Sequence, residues 1–128
     1  MREIKFQVLI KHLFKTLQRI MDFESIKALD FTEQSITIEI DGETYKFHFS
    51  EVEFIKYTGL VDIEGREIYD ADILKDDENF LWLVKYKQGA FVAECSDLMA
   101  EQQLSSINLY SKTIGNNLKN PELLGDSQ

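Results

Sequence analysis

The dipeptide Asp41-Gly42 stands between two runs of strict alternation. Ile36, Ile38 and Ile40 alternate with Thr37 and Glu39, and Tyr45, Phe47 and Phe49 alternate with Lys46 and His48. A type I′ hairpin turn needs positive φ at both central residues, and Asp-Gly is one of the few pairs that supplies it. The pattern predicts strands over about 34–40 and 43–49, each with one apolar face. A lone hairpin is barely stable in water, so neighbouring segments must supply more strands.

They carry the signals to do so. Ile4–Val8 alternates in strand fashion. Thr32-Glu33-Gln34 reads as a turn, and the run from Val52 to Leu60 is rich in apolar and aromatic residues. Asp62-Ile63-Glu64-Gly65-Arg66 is a second tight turn, Ile68–Leu74 is partly extended, and Lys75–Asn79 is a polar loop. Phe80–Tyr86 and Ala90–Glu94 read as strands joined by Lys87-Gln88-Gly89. Ser96 starts a short turn or helix through Glu101, and Asn108–Thr113 returns as a strand. Gly115-Asn116-Asn117 and Asn120-Pro121 mark the last turns. One stretch departs from this pattern. In residues 9–21, Leu9, Ile10, Leu13, Phe14, Leu17, Ile20 and Met21 recur at three- and four-residue steps, which predicts a short amphipathic helix. The expected fold is mainly β (α+β): a small antiparallel sheet or SH3-like barrel with one or two short helices.

A chain of 128 residues with 44% hydrophobic residues can bury a core without disulfides. With one proline and no linker, residues 1–124 read as a single domain and 125–128 as a frayed tail. One cysteine, Cys95, makes no internal disulfide and fits a reducing compartment. The N-terminus lacks the apolar run of a secretory signal, and no stretch approaches the length of a membrane span. A cytoplasmic protein without membrane contact is expected.

The net charge of −9 is unevenly spread. Residues 1–23 hold five bases (Arg2, Lys5, Lys11, Lys15, Arg19) against two acids, so the remainder stands at −12. Residues 61–80 carry Asp62, Glu64, Glu67, Asp70, Asp72, Asp76, Asp77 and Glu78. Such a surface repels a nucleic-acid backbone, which disfavours nucleic acid as a partner. It reads either as a solvated face or as a surface that meets a basic partner.

Three blocks resemble one family. They are Met1 to Phe6; Tyr57-Thr58-Gly59-Leu60 with Asp62, Gly65 and Glu67 to Ile73; and Ile114-Gly115-Asn116 with Asn120 to Leu124. Gly89-Ala90-Phe91 after a Trp-bearing strand adds to them. In their order and spacing they resemble the YopX family, small proteins encoded largely by bacteriophages and prophages. The resemblance implies a phage or prophage origin and a β-rich, self-associating protein. It carries no biochemical activity and no catalytic residues. The chain departs from the family twice. Gln7 to Ile10 stand where members carry an Arg-x-Trp-Asp pattern followed by a strand and polar turn, which opposes a helix over 9–21. Asp70-Ala71-Asp72 stands where members carry Glu-Gly-Asp; Ala71 is strained there if the glycine served positive φ, and replaces it at little cost if the glycine was merely small.

The residues offer little catalytic chemistry. His12 and His48 sit in no nucleophile or metal motif, and Cys95 reads as a small buried hydrophobe. The carboxylates lack calcium-loop spacing, and the glycines form no phosphate loop. No cofactor or metal is expected. Phe47, Phe49, Phe54, Tyr57, Tyr69, Trp82, Tyr86 and Phe91 read mostly as core, with some tyrosines open to an interface. The candidate interaction surface is Tyr57, Asp62, Glu64, Glu67, Tyr69, Asp70, Asp72, Asp76 and Asp77. The leading reading is a non-enzymatic phage or prophage accessory protein that acts through protein–protein contacts as a homo-oligomer, with a host or phage protein as a further partner. The alternatives are an acidic nucleic-acid mimic or host-factor inhibitor, and a nucleic-acid-associated small barrel.

Overall fold

The computed structural model describes residues 5–13 and 17–125. The first family-like block before Lys5, the predicted helix positions Phe14, Lys15 and Thr16, and tail residues 126–128 lie outside them. The chain is mainly β, built from antiparallel sheets with a short α-helix. It divides into two compact units, one over Lys5–Ile55 and one from Lys56 onward. No linker marks the division, because it falls inside a continuous strand, and this is why composition suggested no boundary.

In the N-terminal unit, β1 (Phe6–Leu13) pairs with β2 (Leu17–Met21), with Val8 opposite Met21 and Ile10 opposite Arg19. This hairpin replaces the helix expected over 9–21. Val8, Leu9 and Ile10 are all buried, so β1 is covered on both faces there. A doubly buried strand loses its alternation, and its continuous apolar run imitates a helical stripe. A 3-10 turn at Phe23–Ser25 leads to β3 (Ile26–Asp30), β4 (Ser35–Ile40) and β5 (Glu43–His48), in the order β3-β4-β5. Asp41 and Gly42 have φ of 53° and 87°, the two positive values the hairpin demands. Ile36, Ile38 and Ile40 pack with Val8, Ile10, Met21 and Val52 as the core of this unit. Each buried isoleucine contributes about 2–3 kcal/mol before entropy is counted. A 3-10 turn at Phe49–Glu51, capped by His48, leads into β6 (Val52–Val61).

The C-terminal unit starts within β6. The strand carries a bulge between Tyr57 and Val61, where Gly59 has φ of 86°. Thr58 Oγ1 donates to the Ile68 carbonyl at 2.7 Å and accepts from Leu60 N at 3.2 Å, so the hydroxyl serves backbone groups that the bulge takes out of register. β6 pairs with β7 (Glu67–Tyr69). Then follow β8 (Asp72–Asp76), β9 (Leu81–Lys87), β10 (Ala90–Cys95), β11 (Ala100–Gln103) and β12 (Ser111–Asn116), in a sheet of order β11-β10-β9-β8-β12. Ile68, Leu74, Trp82, Val84, Ala93, Leu104 and Ile107 form its core, with Cys95 among them.

Other local expectations shift. Ser96 opens a turn that ends with Met99 at φ of 49°, and β11 begins at Ala100, within the stretch expected to be a turn or helix through Glu101; the α-helix (α1, Leu104–Ile107) comes later. Asn108–Tyr110 is a 3-10 turn, so the strand expected from Asn108 begins at Ser111 and includes Gly115 and Asn116. Lys75 and Asp76 belong to β8 rather than to the loop after it.

Candidate functional site

The acidic segment singled out by composition holds two five-residue loops of one design. Asp62 begins the loop between β6 and β7. Its Oδ1 accepts from Glu64 N at 2.9 Å and Arg66 N at 3.0 Å, and its Oδ2 accepts from Thr113 N at 2.9 Å. Its own N donates to the Arg66 carbonyl, and Gly65 N returns to the Asp62 carbonyl. The chain closes through Gly65 at φ of 80°. The Asp62 side chain is 2% exposed. Burial pulls its pKa up, but the amides of Thr113, Arg66 and Glu64 outweigh this and hold it below the usual carboxylate range.

Asp76 repeats the arrangement between β8 and β9. Oδ1 accepts from Glu78 N and Phe80 N, each at 2.9 Å, and Oδ2 accepts from Trp82 Nε1 at 2.9 Å. Asp76 N donates to the Phe80 carbonyl, Asn79 N donates to the Asp76 carbonyl, and Asn79 takes the left-handed position at φ of 70°. Partial burial again raises the pKa, and the Trp82 indole with the Phe80 and Glu78 amides brings it below its ordinary value.

Asp72 behaves differently. It is 6% exposed, Oδ2 accepts from Tyr69 N at 2.8 Å, and Oδ1 accepts from Asn116 Nδ2 at 3.0 Å. Burial dominates over these two bonds and pushes its pKa up to about 6. Asn116 ties the region together: Nδ2 also donates to the Asp70 carbonyl and Oδ1 accepts from Leu118 N. Between these anchors Ala71 has φ of 69°, a left-handed conformation strained for a residue with a Cβ. A Cβ on Gly115 would stand 2.5 Å from Leu123 Cδ1, so that glycine admits the closing 3-10 turn, Pro121–Leu124. The central and C-terminal family-like blocks thus meet in one hydrogen-bonded network.

The nine residues chosen from sequence therefore divide by placement. Asp62, Tyr69 and Asp72 are buried, and the carboxylates of Asp62, Asp72 and Asp76 accept from the fold itself. Tyr57 packs on Tyr69 with ring centroids 5.3 Å apart, and Tyr69 Oη donates to Glu67 Oε1 at 3.0 Å. Asp70 is half-buried, and burial raises its pKa. Glu64 and Asp77 are exposed, and Glu64 lies 3.8 Å from Lys112. Three of the nine are thus withdrawn from solvent, and the others are half-buried or exposed.

Two apolar surfaces escaped the sequence reading. In the N-terminal unit five phenylalanines form a chain of edge-to-face contacts: Phe23 to Phe6 at 5.1 Å, Phe6 to Phe54 at 5.5 Å, Phe54 to Phe49 at 5.5 Å and Phe49 to Phe31 at 5.9 Å. Phe31 is 75% exposed and Phe54 44%, with the other three half-buried. In the C-terminal unit Ile63, Leu109 and Tyr110 are exposed. Ile63 N donates to the Ser111 carbonyl at 3.0 Å and Asn108 Nδ2 to the Val61 carbonyl at 2.7 Å, which clamps their two segments together.

Among the described residues no group of three or more His, Cys, Asp or Glu side chains is placed to hold a metal. A pocket of about 320 Å³ is bordered by Leu81, Cys95, Met99 and Glu94. Lys85 and Lys87 bind Glu94 at 2.8 and 2.6 Å, and these two lysines hold its pKa down to about 2. No helix among the described residues is long and apolar enough to cross a membrane.

The fold and these loops define a small, mainly β protein in which aspartates close the turns. The sequence matches the YopX protein family model over residues 12–125, and the chain belongs to that family. Two solved structures share the fold. Protein EF1440 from Enterococcus faecalis matches with a TM-score of 0.62 at 23% identity, covering 97% of this chain and 99% of that one. Protein yopX from Bacillus subtilis matches with a TM-score of 0.60 at 17% identity over the same shares. Comparison with curated proteins gives no match.

Proposed function

We propose that this is a phage or prophage accessory protein of the cytoplasm that works by protein–protein contact rather than catalysis, and that it associates with copies of itself. The observation that carries this reading is the exposed apolar group Ile63, Leu109 and Tyr110, with exposures of 59%, 67% and 45%. Its neighbours Glu64 and Lys112 form a pair of opposite charges, so two copies meeting there face no net repulsion. The carboxylates of Asp62, Asp76 and Glu94 are taken up by amides, an indole or lysines, and Asp72, with its raised pKa, is buried against Tyr69 N and Asn116 Nδ2, which supports contact over catalysis. The phage origin rests on the family resemblance, and gene neighbours that encode no phage function would count against it.

Light scattering after size exclusion tests the association. The wild type should elute above monomer mass, and the double variant Ile63→Asp/Leu109→Asp should return to monomer mass with an unchanged circular-dichroism spectrum. A wild type that stays monomeric at high concentration overturns the reading.

A further inference from the structure

We propose that the phenylalanine strip of the N-terminal unit is a second docking surface, for a segment of another protein in which apolar side chains are interspersed with Lys or Arg. The five rings run without interruption, and Phe31 and Phe54 turn much of their area to solvent. Contiguous exposed aromatics of this extent mark contact sites, because rigid rings bury much area at small entropic cost.

The flanking charge selects the occupant. Phe23 lies between Asp22 and Glu24, Phe31 follows Asp30 and precedes Glu33 by two positions, and Phe54 follows Glu51 and Glu53. All six carboxylate residues are exposed. Against these six stand Lys46, which pairs with Glu33 at 2.7 Å and cancels its charge, and Lys27, whose Nζ donates to the Glu24 carbonyl at 3.1 Å, so acids still outnumber bases along the rim. A second copy laid strip to strip across a two-fold axis would oppose acid to acid, unlike the charge-balanced patch around Ile63. The same acids repel the phosphates of a nucleic acid whose bases would otherwise stack on the rings. A partner with cations beside its apolar side chains satisfies both the rings and their rim.

The test uses the full chain and a fluorescein-labelled twelve-residue peptide of alternating Leu and Lys, followed by anisotropy at low salt. Two comparison peptides replace every Lys by Glu or every Leu by Ser. The Leu/Lys peptide should bind at least about tenfold more tightly than either. Phe31→Ser/Phe54→Ser should weaken it about tenfold or more, and Glu24→Lys/Glu53→Lys should weaken it and flatten its salt dependence. Should the phenylalanine double variant fail to fold, Phe31→Ser alone serves, since that ring is already 75% exposed. Ile63→Asp/Leu109→Asp should leave peptide binding unchanged, which separates this surface from self-association. Equal binding by either comparison peptide, binding indifferent to the phenylalanine variants, or loss of oligomer mass in Phe31→Ser/Phe54→Ser would overturn the proposal.

Discussion

In both loops of the acidic segment, one aspartate oxygen accepts two amides of its own loop. The other oxygen goes to different places. In the Asp62 loop it reaches Thr113 N, 51 residues away on β12, while in the Asp76 loop it reaches the indole of Trp82, six residues on. Asp62 is sealed from water, and Asp76 is only partly covered. Nearly the same local sequence, Asp-x-Glu-Gly/Asn, thus serves as a long-range tie in one case and a local clasp in the other. The difference lies in what the second oxygen meets, which the chain decides elsewhere.

Removing the carboxylates should expose that difference. Asp62→Ala leaves three amides without their acceptor in a buried site and should cost about 3–5 kcal/mol in urea unfolding. It should also speed hydrogen exchange at Thr113 N. The third carboxylate sharpens the contrast through pH. Asp72 has its folded pKa raised from 3.8 to about 6, so the folded chain holds this proton more tightly than the unfolded one. Its contribution is full below about pH 4 and is lost as pH rises through about 6, up to about 3 kcal/mol. Asp62 and Asp76 have lowered pKa values and act with the opposite sign: their contribution is present at neutral pH and lost as pH falls below the ordinary carboxylate range. The stability of the wild type relative to Asp72→Asn should therefore fall between pH 4 and 6.5, as measured by denaturant titration at each pH.

Asp76→Ala should cost less than its counterpart, about 2 kcal/mol, since water can reach the amides it leaves. Trp82 is the one tryptophan of the chain, so loss of its Nε1 bond should shift the emission maximum while Thr113 N stays protected. The smallest effect has the opposite direction. Ala71→Gly relieves the positive φ at a position between Asp70 and Asp72 and should stabilise by about 0.5–1 kcal/mol, read as a higher Tm.

How much of this was legible depends on the range over which each feature is encoded. The Asp41-Gly42 hairpin was readable because turn chemistry and alternation lie within fifteen residues and agree. Residues 9–21 misled because burial on both faces of β1 erased the period of two. The acidic segment stood out by charge, yet charge says nothing about whether a carboxylate faces water or a backbone amide. The spacing of Asp62 to Gly65 did announce a turn, and the tie to Thr113 had no local signal. The phenylalanine strip assembles rings from positions 6, 23, 31, 49 and 54, and no window of sequence contains them together.

Cys95 ends β10 with only 2% of its surface exposed and is the lone thiol of the chain. A thiol reagent too large for the pocket that Cys95 borders can therefore reach it only when the strand opens. Its labelling rate, compared with that of the unfolded chain, reports the free energy of that opening without any engineered probe. The single cysteine that excludes a disulfide thus equips the C-terminal unit with a native gauge of its own breathing.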